Sequence, residues 1–367
     1  MQLLNLSEWT GVILMGAGEL QRDVGAVMGV LVQGLSFVMN FILNGVSMVT
    51  ERHSIGITII LATIVLRLLM LPQGIQMIKS QMKMRIVKPE IDKIKKKYGG
   101  SKDPEIVRKI NAETQEVYRK HKINLFGGCL PLLITMPIFV AFIDLMRRLP
   151  LYLHRVRDLY LEICEKILSV EGIAEQGTVL FNIAVTKVPS NFVQYYTNRY
   201  GRNLDIREPR TLMRFIDTFT PYEWDVIKAE VTDPEILYGL ENLLAQRIDM
   251  QTFIGINLVD SAGLRWPGVM VPILSGLTSL LLSYINKKTM PAADASMKMN
   301  QMMMMVVMPA MMFFLTINIS GGVGVYWIAG NIIAVIQQLL LAKFLLNRMN
   351  TDAKSDMEII GQGREKS

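Results

Sequence analysis

The chain has 367 residues, 51% of them hydrophobic, with 26 methionines and a formal net charge of +7, and its apolar residues are gathered into long blocks. That combination excludes an ordinary soluble domain and points to an all-α polytopic membrane protein. Two cysteines, Cys129 and Cys164, and three scattered histidines, His53, His121 and His154, exclude a disulfide framework and offer no ligand spacing for zinc, so neither a metal nor another cofactor is expected.

Residues 1–54 form an N-terminal segment. Met1 to Asp23 lacks the basic start, compact apolar core and small-residue exit of a cleavable signal, and it is not the Arg-rich, Ser-rich composition of a transit peptide. Val24 to Thr50 is uncharged, and Gln33, Ser36, Asn40, Asn44 and Ser47 recur along it every three or four positions. Such a stripe gives a helix a wet side, so the segment reads as an amphipathic helix in the outer interface, with a sixth span as the alternative. Residues 55–78 are the first span. Within it, "TIVLRLLMLPQ" carries Arg67, a charge that costs about 2.5 to 3.5 kcal/mol at bilayer depth on insertion scales.

Residues 79–123 read as a cytoplasmic helical hairpin. Fourteen Lys and Arg stand against six acids from Lys79 to Lys122, and positive loops stay inside. Met84, Val87, Ile91, Ile94 and Tyr98 make one apolar face of its first helix, Lys93, Lys95, Lys96 and Lys97 crowd the remainder, and Gly99 and Gly100 stop it. Asp103 caps a second helix with Pro104 at its first position, and Val107, Ile110, Thr114, Val117 and His121 give it a matching stripe. The basic surface suits anionic headgroups or ribosomal RNA. Sequence-specific nucleic-acid binding is not expected of a short block tethered between spans.

Residues 124–148 hold the second span, whose outer Arg147 and Arg148 run against the charge rule with only Asp144 to offset them. Residues 149–266 are an extracytoplasmic helical insertion, in which Thr220 with Glu223 and Thr232 with Glu235 have capping-box spacing. Its Asp158, Glu162 and Glu165 read as a solvated helix face rather than paired general acids, and no enzyme is expected. Residues 267–347 hold the third to fifth spans, with Lys287, Lys288 and Lys298 in the turn after the third and Gly321 and Gly322 making the tight turn between the last two. Residues 348–367 form a cytoplasmic tail without strong positive charge. The N-terminus is then outside and the C-terminus cytoplasmic.

Three separated stretches, "RLLMLPQGIQMIKSQMKMRIVKPEIDKIKKKYGG", "KINLFGGCLPLLITMPIFVAF" and "SGGVGVYWIAGNIIAVIQQLLL", come in an order and spacing that closely resemble the YidC family of membrane protein insertases, over Phe37 to Met146 and Gly268 to Arg348. The resemblance implies a five-transmembrane-helix insertase core in the bacterial plasma (inner) membrane. It would enclose a hydrophilic, positively charged groove that moves hydrophobic segments and short polar flanks of nascent membrane proteins into the lipid bilayer. It implies that Arg67 supplies the groove's charge. The hairpin then receives the substrate and meets the ribosome or targeting factors, while partnership with the main secretion channel is left open. Helices matching the second and fourth spans form a hydrophobic slide, here Met136, Phe139, Met308, Met311 and Met312. Thr135 stands where family members often carry Gln, and Leu125 where they often carry Pro, so the groove wall has a smaller polar group here.

The residues carry the groove without the resemblance. A cation within a span faces a bundle interior or water; Thr63 lies one turn before Arg67, and Tyr326, Asn331 and Gln338 are placed to line the opposite wall. Plainer readings stand beside this one: Arg67 snorkelling or pairing with Asp144, the methionines as core or lipid-facing residues, Tyr326 and Trp327 as packing aromatics, and Pro131, Pro137 and Pro309 as tolerated kinks. The rival function is a secondary transporter or channel for an anionic solute. Against it, there is no internal repeat and no second ionisable residue deep in another span. An assembly chaperone that holds membrane helices without inserting them is a third reading.

Overall fold

The computed structural model describes residues 26–99, 103–121, 123, 130–187, 205–289 and 302–364. Gly100, Leu125, Cys129 and Lys298 lie outside the described residues. The first helices are α1 (Ala26–Ser47), α2 (Ser54–Leu69), α3 (Leu71–Lys97), α4 (Pro104–Lys120), α5 (Leu130–Arg147) and α6 (Leu149–Tyr152). Then come α7 (His154–Leu168), α8 (Val179–Lys187), α9 (Pro209–Ile216), α10 (Pro221–Glu230) and α11 (Pro234–Gln251). A two-stranded hairpin, β1 (Thr252–Phe253) and β2 (Ile256–Asn257), precedes α12 (Met270–Thr289), a π-helical turn at Met303–Val307, α13 (Met308–Ile317) and α14 (Gly321–Arg364). The chain divides into two compact units, Met1–Ile59 with Ile138–Asp260, and Ile60–Pro137 with Ser261–Ser367.

The first unit is organised on α7, whose Tyr160, Ile163, Cys164 and Ile167 are fully buried at helical spacing; α9 and α11 pack on it. Burial pushes the Cys164 thiol up from its ordinary value, which leaves it protonated and inert. The capping box at Thr220 and Glu223 is present, but the cap of α11 is Asp233 and not Thr232. The Asp233 carboxylate accepts from Glu235 N at 2.8 Å and Ile236 N at 3.3 Å, and a carboxylate at this position also complements the helix dipole.

On α1 the polar stripe is not a wet face. Asn40 is buried; its amide donates to the carbonyls of Ser36 and Tyr152, both at 2.8 Å, and its oxygen accepts from His154 N at 2.9 Å. It thereby ties α1 to the junction of α6 and α7, while Val30, Phe37, Phe41 and Met48 form the exposed side. The physical reason is that the Tyr152 to His154 turn leaves backbone groups that α1 satisfies from its polar residue.

The small antiparallel ribbon departs from an all-helical reading. Ile254 and Gly255 both take positive φ, 51° and 77°, the two-residue loop conformation that matches strand twist. His53 Nδ1 donates to the Thr252 carbonyl at 2.5 Å, and His53 N donates to the Asp249 carbonyl at 2.9 Å. The Phe253 ring lies where a side chain at Gly56 would be. The start of α2 is therefore bonded to the end of the 149–266 insertion.

The run Ile55 to Ile78, most of it in the second unit, is not one straight helix. α2 stops at Leu69, α3 starts at Leu71, and the two are bent by 54°, because Pro72 has no N–H to continue the ladder. From Leu71 the helix continues unbroken to Lys97, so the expected boundary between span and hairpin falls inside one helix. Among the described residues, Met28–Ser47 and Gly321–Leu341 are long and apolar enough to cross a membrane, and the bent pair is a third candidate.

α3 and α4 form the antiparallel hairpin around Val87, Ile91, Val117, Tyr118 and Ile123, with Met84 and Ile94 packed beside them. Val107, expected on that stripe, is exposed. Asp103 caps α4 by accepting from Glu105 N at 2.9 Å. In the rest of the unit α12 packs on α13 and α14. Gly321 and Gly322 open α14 instead of making the turn, which is residues 318–320. That turn is bonded by Ala262 N to the Ile319 carbonyl at 3.1 Å and by Gly263 N to the Ile317 carbonyl at 3.0 Å. The small residues at the helix start serve close approach, as at Gly324, where Val271 occupies the space of a side chain.

Candidate functional site

Arg67 sits near the end of α2, three residues before the break at Met70. Breaking the ladder there frees the carbonyls of the last turn, and one of them is taken across the unit: Gln337 Nε2 on α14 donates to the Arg67 carbonyl at 3.3 Å. The guanidinium lies against the same helix. Its Nη2 is 3.0 Å, and its Nε 3.6 Å, from the position that a Cβ would occupy at Gly330. Tyr326, one turn earlier on α14, is near enough to interact electrostatically with Arg67. Residues 326, 330 and 337 are four and seven apart, so they share one helix face. Thr63, one turn before Arg67, is buried.

The expected wall residues therefore divide. Tyr326 faces Arg67, whereas Asn331 turns to α12. Trp327 Nε1 donates to Ser279 Oγ at 3.0 Å. With its amide oxygen toward the donors, Asn331 accepts from Trp327 Nε1 at 3.1 Å and from Ser279 Oγ at 2.9 Å. Asn331 is thus a helix-joining residue on the buried α12–α14 seam. The correction is one of phase: one residue further along a helix is a turn of about 100°, since 3.6 residues complete a circle. Gln338 is buried on the same stripe as Asn331. Gly330 and Gln337 escaped the sequence reading, although a step of four from Tyr326 and a further seven from Gly330 reach both.

Asp144, the alternative partner for Arg67, is engaged elsewhere. It pairs with Arg148 at 3.4 Å and accepts from the Tyr152 hydroxyl at 2.5 Å.

The slide residues also divide. Met136 on α5 is exposed and Thr135 beside it is half-buried, while Phe139 is buried and belongs to the first unit. On α13, Met311 is exposed together with Phe314 and Leu315, Met308 is half-buried, and Met312 is buried. Met312 is a core residue rather than part of an outer surface, again because it is one step out of phase with Met311.

In the hairpin, Lys93 and Lys96 are exposed and Lys95 is half-buried. Lys97 is committed to holding the two helices together: its Nζ donates to Glu113 at 3.0 Å, and the Tyr98 hydroxyl donates to the same carboxylate at 2.5 Å. These two bonds, the tyrosine's first, hold the Glu113 carboxyl below its ordinary value. At the other end Glu90 accepts from Lys120 at 3.4 Å and from His121 at 3.0 Å. No group of three or more His, Cys, Asp or Glu among the described residues is arranged to hold a metal ion.

Residues 46–220 and 228–348 match the family model described as 60Kd inner membrane protein. The chain belongs to that family. The membrane protein insertase YidC of Fusobacterium nucleatum is 35% identical over 123 residues, which are 33% of this chain and 54% of that protein. The membrane protein insertase MisCA of Bacillus subtilis is 42% identical over 93 residues, 25% of this chain and 35% of that protein. The chloroplastic inner membrane protein ALBINO3 of Arabidopsis thaliana is 21% identical over 355 residues, 97% of this chain and 60% of that protein. The chain thus spans about half the length of the first of these relatives and about a third of the second. As a member of the 60Kd inner membrane protein family it is a membrane protein, and its described residues are mostly helical.

Proposed function

We propose that this protein is a membrane protein insertase, acting on nascent membrane proteins through a polar groove charged by Arg67. The observation that carries the reading is the setting of Arg67: a permanent cation on the first core helix, lying against Tyr326, Gly330 and Gln337 of α14, with no acidic ion-pair partner among the described residues. Family membership and the names of its relatives support the same conclusion.

A polar flank of a client that enters such a groove exchanges bulk water for groove water and polar side chains, avoiding the hydrocarbon that would strip its hydrogen bonds. An acidic flank is drawn to the guanidinium. A membrane potential positive outside adds about 2.3 kcal/mol per negative charge per 100 mV in the outward direction. Release is driven by burying the client's own apolar helix in lipid, at roughly 0.8 kcal/mol per methylene. The exposed Met136 and Met311 offer adaptable thioether surfaces for that exit. The exposed side of α1 seats Val30, Phe37 and Phe41 in lipid at the outer surface, and the hairpin presents Lys93 and Lys96 to the ribosome or to targeting factors.

The test uses liposomes containing only this protein and a single-span client with an acidic outer tail. Arg67→Ala lowers insertion and Arg67→Lys largely retains it. Normal client insertion after depletion in cells, with loss of solute uptake instead, would favour a transporter.

A further inference from the structure

We infer that α14 sets the position of the Arg67 charge, through a slot at Gly330 and a clamp at Gln337, and so tunes selectivity for acidic client flanks. The inference rests on the insertase reading above and names two positioning residues for it. Neither residue need touch a client.

The argument starts from the break in α2. A helix that ends at Leu69, with Pro72 three residues on, leaves the carbonyls of its last turn without their usual donors. Among the described residues no backbone N–H donates to the Arg67 carbonyl; the side-chain amide of Gln337 does, at 3.3 Å. Such a bond fixes the backbone from which the long Arg67 side chain springs. Seven residues earlier, two turns along the same face, Gly330 leaves its Cβ space empty, and the guanidinium lies over it with Nη2 at 3.0 Å, Nε at 3.6 Å and Cζ at 3.8 Å from that point. A long flexible side chain has rotamer entropy to lose when it is held, and a backbone clamp with a matched slot confines it before a client arrives. The slot also has a steric edge. A methyl group at position 330 stands closer to the guanidinium than ordinary carbon–nitrogen contact allows, so the charge must retreat.

The experiment measures insertion into liposomes containing only this protein, for two single-span clients that differ in tail charge alone, one acidic and one neutral. The reading is the ratio of their insertion rates, compared between wild type, Arg67→Ala, Gly330→Ala and Gln337→Met, the last close in volume but without the donor. The expected result is that Gly330→Ala and Gln337→Met lower the ratio by about 1.6-fold, the change Coulomb's law gives when a unit charge withdraws a few tenths of an ångström, from about 4 to about 4.3 Å of its partner, at an effective dielectric constant of about 20. If both clients slow equally and the ratio holds, Gly330 and Gln337 are packing residues and the inference is overturned, provided Arg67→Ala does lower the ratio. If Arg67→Ala leaves the ratio untouched, the charged-groove reading fails first and this inference falls with it. Should Gly330→Ala not fold, Gln337→Met decides the matter alone.

Discussion

Removing one hydroxyl from the 149–266 insertion tests whether its buried polar network holds it together. Tyr160 is 1% exposed; its hydroxyl donates to Asp217 Oδ1 at 2.6 Å and accepts from Gln251 Nε2 at 2.8 Å. The Arg247 guanidinium stands 5.8 Å from its ring and 4.9 Å from that of Trp224. Tyr160→Phe keeps the ring and the cation contact but strands a carboxylate oxygen and an amide. A hydrogen bond to a charged group is worth about 1.5 to 3 kcal/mol and a neutral one about 0.5 to 1.5 kcal/mol, so the loss is about 2 to 4 kcal/mol. At roughly 2 to 4 °C per kcal/mol for a unit of this size, the melting midpoint of the insertion falls by roughly 5 to 15 °C. Purified protein heated in detergent, with amide hydrogen exchange read over α7 and α11, gives the number. A midpoint within about 1 °C of wild type would refute the idea that these bonds carry the fold.

The same network fixes the sign of a pH effect. Burial raises the Asp217 carboxyl above its ordinary value, although the Tyr160 bond and Arg247 pull it back. A carboxyl whose folded value lies above its unfolded value costs stability once ionised, and the cost disappears as pH falls through the folded value toward the unfolded one of about 3.9. Asp217→Asn keeps an acceptor for Tyr160 and removes the charge. It should melt no lower than wild type at neutral pH and should lack that dependence.

Deleting Lys83 to Lys120 should leave a folded membrane core and lower insertion; unchanged insertion would remove the hairpin from the mechanism. Asn331→Leu breaks the amide bridge to α12 and should cost about 0.6 to 2 kcal/mol, the range found for hydrogen bonds between membrane helices, as read by thermal unfolding in nanodiscs. Glu90 is held below its ordinary value, first by the His121 bond and then by Lys120. Its contribution is therefore present above its unfolded value and lost as pH falls through the lowered folded one. Exchange over α4 should quicken below about pH 4 in wild type but show no such step in Glu90→Gln.

Much of the architecture was legible because membrane helices announce themselves by length and composition. In the hairpin the Asp103 cap follows from local chemistry acting over one or two turns, whereas Val107, expected on the inward face, is exposed. Local chemistry also misled, since Thr232 and Asp233 are both good caps and only the bonds to Glu235 and Ile236 choose between them. The Ile254 and Gly255 turn gave little warning, because isoleucine rarely accepts positive φ. It is held there while Phe253 fills the space beside Gly56 and His53 bonds the Thr252 carbonyl.

By itself the sequence determined that this is a helical membrane protein, with a basic block after its first apolar run and a cation, Arg67, within that run. Tertiary structure alone decided which residues, beyond Tyr326, lie against that cation. Tyr326, Gly330 and Gln337 meet Arg67, while Trp327 and Asn331, each one residue on, turn to Ser279 of α12. The reason is rotational: a single residue step swings a helical side chain by about 100°, and the rotation of α14 is set by what packs around it, α12 with its small Ser279 and Val271 against Gly324, which no reading of α14 alone contains.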